Sequence, residues 1–239
     1  MELQVGARII IQFDNGVYIT ETVCWAVIVA VALVIVGLLG TRNMQRNPRG
    51  MQAVAELVVE TVYNFVRNTM GPHCMAFAPY IGTLFLYLIS CNALGLIGQR
   101  AATADMNFTF AMGIMVFFII QWNSIKSKGI IGYFKHFAEP FPFMIPIKIM
   151  EEITFPISLS FRIFGNILAG VIIVELFMHL MESVSHKLHM VLPFLQIGTP
   201  LPVNLFFDVF EPFLQAFVFS MLTMSFIAKA ITVHGAEDH

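Results

Sequence analysis

The hydrophobic residues of this chain come in long blocks. Residues 22–41, 74–99 and 106–125 contain no Asp, Glu, Lys or Arg, and each block is long enough to cross a bilayer as a helix, which takes about 20 residues. Pro140, Pro142 and Pro146 then delay the next helix until about Ile147, because proline lacks the amide hydrogen that the helix ladder needs. A second break at Pro193, Gly198, Pro200 and Pro202 precedes a last apolar run. The pattern predicts an all-α, polytopic membrane protein, a single membrane domain over residues 1–239. Its crossings are 22–41, 75–98, 106–125, 147–181 and 203–233, after an outer N-terminal segment 1–21, and the last two form a long antiparallel hairpin. No internal repeat or soluble domain interrupts the series.

One segment departs from the block pattern. Between Met51 and Met70, Gln52, Glu56, Glu60 and Asn64 recur every four residues opposite Val54, Leu57, Val58, Val62 and Phe65, the signature of an amphipathic helix. Such a helix lies on the cytoplasmic membrane face or packs against other helices; periodicity alone leaves both open.

Charge supplies the orientation. Arg42, Arg46 and Arg49 crowd the first loop, and Arg67, Lys126, Lys128, Lys135, Lys148 and Lys229 fall on the same side of a five-crossing layout, against Arg8, Arg100 and Lys187 on the other. The positive-inside rule then puts the N-terminus outside and the C-terminus in the cytoplasm. The first block is too long for a secretory signal core and follows acidic Glu2, Asp14 and Glu21, so it reads as a retained helix. With 58% hydrophobic and 12% charged residues and a net charge of -2, the chain cannot cover itself with polar surface, and nucleic acid is no partner. Cys24, Cys74 and Cys91 lack C-x-x-C spacing, so neither a metal site nor any cofactor is expected.

Within the fourth block, Arg162 stands between charge-free flanks of nine and twelve residues, 153–161 and 163–174. At about 1.5 Å per residue it lies roughly 14 to 18 Å from either end, beyond the reach of the side chain. Burying it costs about 2.5 to 3.5 kcal/mol or more, so an intramembrane arginine is a candidate functional group. Ser158, Gly165, Asn166 and Ala169 share its face, with Gly170 at the edge; small residues there let another helix approach the guanidinium. A structural arginine would more simply have an acid one turn away, and none is present.

Acidic groups flank this position along the last two helices. Glu151 and Glu152 begin the fourth crossing. Beyond the arginine, Glu175, His179, Glu182 and His186 form a stripe at intervals of four, three and four, and Asn204, Asp208, Glu211 and Gln215 repeat those intervals on the last helix. Because the two helices run antiparallel, both stripes fall in the outer half of the membrane and can line one water-accessible cavity. Glu182, His186 and Asp208 also fit a solvated outer rim.

The segment SLSFRIFGNILAG, from Ser158 to Gly170, resembles the signature of the a subunit of the F-type ATP synthase, in which R-x-F-G-N-x-x-A-G carries an indispensable arginine. FLQAFVFSMLT, from Phe213 to Thr223, is similar to the family's last helix and places Gln215 where the family has a glutamine facing that arginine. GTLFLYLISCNALGLIG, from Gly82 to Gly98, and the five-crossing layout extend the resemblance over nearly the whole chain. Relatives often carry a glutamate nine residues after the arginine and a histidine seven before the glutamine; here those positions hold Val171 and Asp208, and Glu175 stands one turn beyond Val171.

The resemblance implies a non-catalytic stator subunit in a bacterial inner membrane, working beside a ring of c subunits, a b-subunit stalk and the other synthase subunits, with lipid around it. Ions would pass through two half-channels: an outer one lined by Glu175, Asp208 and Glu211 and an inner one beside Glu151 and Glu152, with Arg162 between them and Asn166 and Gln215 nearby. An ion-coupled secondary transporter is the alternative class, but many such folds show broken helices in both halves, and here the breaks fall only in the second half. An intramembrane enzyme would need a nucleophile or metal motif, and neither G-x-S-x-G nor H-E-x-x-H occurs.

Overall fold

A computed structural model describes residues 9–12, 18–42, 45, 50–99, 101–138, 141–187 and 200–232. Arg46, Arg49, Arg100, Pro140, Pro193 and Gly198 lie outside the described residues, as do Arg8 and Val233. So do the side chains of Lys135, His186, Asn204 and Asp208, whose backbone is helical.

Among the described residues, five helical segments are long and apolar enough to span a bilayer: Glu21–Thr41, Pro72–Ile97, Met106–Phe134, Ile145–Ser185 and Glu211–Ile231. Before the first of them the chain makes two short antiparallel strands, β1 (Ile9–Gln12) and β2 (Tyr18–Thr20). The sequence reading assigned no element there, since four and three residues are too few to show a period.

Helix α1 (Glu21–Thr41) is apolar all round, with a mean hydropathy of 2.9. Only Thr22, Ala26, Val29 and Gly40 of it are buried, so it stands at the edge of the bundle, where lipid or another chain must cover it. Around Val29 it packs on Cys91, Leu94 and Ala102, toward the far end of the bundle. Its C-terminus reaches the near end, where Gly40 sits beneath Ala55 of helix α2 (Met51–Met70).

The first turns of α2 leave Met51, Val54 and Leu57 exposed on one side, while Gln52 is buried and Ala55 lies against Gly40 of α1. The second half is packed on protein: Val66 is fully buried, Val62 presses on Gly82, and the Phe65 ring stacks on Phe217 with centroids 5.2 Å apart. Helix α3 (Ala78–Ala93) follows a tight turn at Gly71 and forms the middle of the core with Ile81, Leu84 and Leu88. At the far end Asn92 is buried, accepts a hydrogen bond from Thr103 and donates to the Pro212 carbonyl at 3.4 Å.

Helix α4 (Met106–Ala138) continues well past the predicted crossing and kinks at Gly129, whose φ of 70° and ψ of 166° are not helical. Helix α5 (Ile145–Lys187) runs for 43 residues, about 65 Å at 1.5 Å per residue. That is twice the roughly 30 Å of bilayer hydrocarbon. Val171, Ile172, Ile173 and Leu176 in its second half are all exposed and apolar, so the excess length calls for tilting or for local adjustment of the bilayer.

The α4–α5 contact is close because Gly113 of α4 faces Pro156 and Ser160. A Cβ at Gly113 would meet the Ser160 hydroxyl and lie 2.9 Å from the Pro156 carbonyl. The Ser160 hydroxyl is shared between the Thr109 carbonyl at 3.0 Å and the Pro156 carbonyl at 2.8 Å. The chain returns through α6 (Pro200–Leu205), one wide turn of π geometry (Phe206–Phe210) and α7 (Glu211–Thr232). Pro212 explains the wide turn: it cannot donate to the carbonyl four residues earlier and its ring pushes that carbonyl away.

Candidate functional site

The site is built on the antiparallel α5–α7 pair, and three contacts fix its register. At the near end the Lys229 ammonium donates to Glu151 at 2.8 Å. One turn deeper the rings of Phe155 and Phe226 lie 3.8 Å apart. Toward the far end, a Cβ at Gly170 would come 3.4 Å from a Glu211 carboxylate oxygen. Each step along α5 is thus matched by a step back along α7, which sets Phe219 level with Arg162 and Gln215 level with Asn166.

Arg162 is exposed on the outer face of this pair, together with Ser158, Phe161, Gly165 and Ala169. Leu159, Ser160 and Ile163 turn the other way and are buried, at 2% exposure or less. Among the described residues no hydrogen bond or ion pair holds Arg162. Its face is therefore small-residue, apolar and carries one guanidinium, on a surface that a membrane would surround. Gly170 differs from the other small residues of the segment: it is buried, and a Cβ there would stand 2.8 Å from the Phe207 ring, so it serves the contact with the last helix.

Gln215 lies inside, 8% exposed, and its carbonyl oxygen is buried with no partner. No hydrogen bond joins it to Arg162. An unpartnered buried carbonyl is costly, and the polar partner it wants is a water or a donor from outside the described residues. Asn166 is half-buried at the same level.

The carboxylates fall into two groups. Toward the far end, Glu211 and Glu175 are both half-buried. The register sets Glu175 about five residues beyond Gly170, the level of Glu211, roughly 7 to 8 Å farther along α5. Asp208 is placed only by its backbone, in the wide turn between them. Past these, His179 and Glu182 form a 3.5 Å pair with side chains 69% and 53% exposed, an open rim.

At the near end, a cavity of about 140 Å³ is lined by Gln121, Ser124, Lys128, Lys148, Glu151, Glu152 and Lys229 among others. The two adjacent glutamates part company here. Glu151 is exposed and paired with Lys229, whereas Glu152 is half-buried and accepts a 2.6 Å hydrogen bond from the Gln121 amide, with the Tyr133 hydroxyl 3.4 Å away. Tyr133 also donates to the Gln121 carbonyl oxygen at 2.7 Å. Gln121 and Tyr133 were missed in the sequence, where a lone Gln in an apolar block and a Tyr beyond a basic turn carry no signal.

A proline four residues after an acid recurs at both ends: Glu152 with Pro156, and Asp208 with Pro212. In each case the proline cannot donate the hydrogen bond that the acid's own backbone carbonyl would accept in a regular α-helix.

Fold and site together define a multi-pass helical membrane protein whose long final hairpin carries an unpaired arginine between two acid-bearing ends. The ATP synthase A chain family matches residues 23–228, and the chain belongs to that family. It is accordingly an a-type subunit of the membrane sector of ATP synthase, part of the machinery of ion transport and ATP synthesis.

Proposed function

We propose that this chain is the static half of a rotary ion channel, in which Arg162 meets the carboxylates of a rotating ring of c subunits. The observation that carries the reading is the arginine itself: a guanidinium on the open, small-residue face of a membrane helix has no partner among the described residues, and an unpaired charge in that setting is costly. A carboxylate on a neighbouring helix would satisfy it, and Ser158, Gly165 and Ala169 allow such a helix to come close.

On this reading an ion, proton or sodium, enters through an outer half-channel lined by Glu175, Asp208 and Glu211. It neutralises a ring carboxylate, which can then pass through lipid. After most of a turn the ion leaves through an inner half-channel, the near-end cavity beside Glu151 and Glu152. Arg162 attracts the ionised carboxylate, displaces its ion and separates the two half-channels so that ions do not leak without rotation. The guanidinium never gives up its proton at physiological pH and so acts as a fixed charge. Gln215 and Asn166, one turn away, would hold water or orient the arriving carboxylate. The backbone carbonyls of Glu152 and Asp208, to which those prolines cannot donate, suit a water-filled path.

No covalent chemistry falls to this chain; nucleotide chemistry would take place on other subunits. A b-subunit stalk would hold it against the torque. On this reading the near end, beside the basic loops, faces the cytoplasm of a bacterial cell and the N-terminus lies outside, in keeping with the positive-inside rule.

Replacement of Arg162 by alanine tests the proposal. ATP synthesis and ATP-driven ion pumping are expected to be lost while the complex still assembles. Normal coupled synthesis in membranes of that variant would overturn the assignment. Arg162→Lys is expected to fail as well, because lysine lacks the planar fork and can deprotonate when buried.

A further inference from the structure

We propose that Tyr133 is a positioning residue for Glu152. With Gln121 it makes a reversible hydrogen-bonded pair that keeps the Glu152 carboxyl partnered whether ionised or protonated. The inference rests on the reading of the near-end cavity as the inner half-channel.

The arrangement exists only because α4 is kinked. Residues twelve apart on a straight helix are separated by about 18 Å along its axis, yet the Tyr133 hydroxyl lies 2.7 Å from the Gln121 carbonyl oxygen. Gly129, between them, has φ 70° and ψ 166°, a conformation that is essentially restricted to glycine. It turns the last segment of α4 back so that Tyr133 overhangs the cavity wall. Nothing lies within 4 Å of where a Gly129 Cβ would be, so the glycine is required by the backbone and not by crowding.

The groups chosen have a chemical consequence. A carboxylate only accepts hydrogen bonds, whereas a carboxylic acid also donates one. A partner that only donates, such as lysine, suits the ionised form alone. An amide and a phenol each donate and accept. With Glu152 ionised, Tyr133 donates to the Gln121 carbonyl oxygen and the Gln121 amide donates to the carboxylate, as observed. With Glu152 protonated, its O–H donates to the Gln121 carbonyl oxygen after the amide turns over, and the amide N–H then donates to the Tyr133 oxygen. The proton comes from the ring side and leaves to water in the cavity, and no other bond changes. Among the described residues, the charged and titratable groups facing Glu152 are Tyr133 and Lys128 from α4, Lys148 and Glu151 from α5 and Lys229 from α7.

The test is Tyr133→Phe in the complete synthase reconstituted in liposomes, since phenylalanine keeps the ring and removes only the hydroxyl. ATP-driven proton pumping is expected to fall severalfold, up to about tenfold, the scale of one lost neutral hydrogen bond, with assembly unchanged. Its pH dependence should be displaced, where a merely structural loss would scale the rate without moving the profile. Added to Glu152→Gln, the Tyr133→Phe change should cost nothing further. Wild-type pumping in Tyr133→Phe, or an equal loss in the Glu152→Gln background, would overturn the proposal. With Arg162→Ala inactive in the same assay, either result leaves the two-half-channel reading standing. An Arg162→Ala enzyme that still pumps would remove that reading, and this inference with it.

Discussion

Glu151 and Glu152 are adjacent in the chain, yet their surroundings predict different consequences for the same change. Glu151 is half in solvent and its partner Lys229 more so, and an exposed pair of this kind contributes about 0 to 1 kcal/mol. Glu151→Gln should therefore leave assembly and pumping close to wild type. Glu152→Gln removes the titratable group at the centre of a hydrogen-bonded cavity wall and should slow pumping while the complex assembles; wild-type rates in both variants would show that neither acid is needed on the ion path. Gly113 offers a test of packing at the same scale. A methyl there meets the Pro156 carbonyl at 2.9 Å, and backbone cannot swing away as a side chain can, so Gly113→Ala should destabilise the subunit by about 1 to 3 kcal/mol. Thermal unfolding in detergent measures it, and an unchanged transition would mean that the α4–α5 contact is looser than described.

The elements carry the register. Glu151 with Lys229, Phe155 with Phe226 and Gly170 with Glu211 set α5 and α7 in step, which levels Asn166 with Gln215. Cysteines at 166 and 215 should join through a short bifunctional reagent, and a cysteine at 162 should not join one at 211, about two turns away along the helix. Crosslinking of the second pair alone would shift the helices by more than one turn. The open face of α5 makes a complementary prediction: cysteines at Ser158, Gly165 or Ala169 should link to a neighbouring ring subunit, while exclusively intrachain products would make that face internal. Both experiments begin from a variant without Cys24, Cys74 and Cys91.

For the whole molecule, the proposal is that ions reach the arginine from opposite sides by separate routes. Cysteines in place of Glu175 or Glu211 should react with a membrane-impermeant thiol reagent from the outside, and cysteines beside Glu151 and Glu152 from the cytoplasm. Labelling of both groups from one side would overturn the two-route layout. Replacing Glu175 or Glu211 by the amide should slow proton-driven synthesis without loss of the complex. Asp208→Asn tests whether the wide turn before Pro212 belongs to the outer route, and unchanged synthesis would remove Asp208 from it.

The five membrane segments, the amphipathic helix and the singular position of Arg162 were legible in the sequence, and the reason is physical. Lipid offers no hydrogen bonds, so a crossing must be a long uninterrupted apolar run, and a charge inside one stands out against its neighbours. The motif around Arg162 was local for the same reason, since one helix face carries it. What the sequence could not fix depends on contacts between distant residues. That the second half of α2 is packed on protein follows from Phe217 and Gly82 arriving over Phe65 and Val62. That Gly170 faces the last helix while Gly165 stays open depends on where Phe207 falls. The Gln121–Tyr133–Glu152 cluster needs both the Gly129 kink and the arrival of α5. Composition and periodicity report how each residue meets its solvent, which in a membrane determines the crossings. Which polar groups meet one another inside the bundle is decided only by tertiary packing, because helices far apart in the chain supply the two halves of each contact.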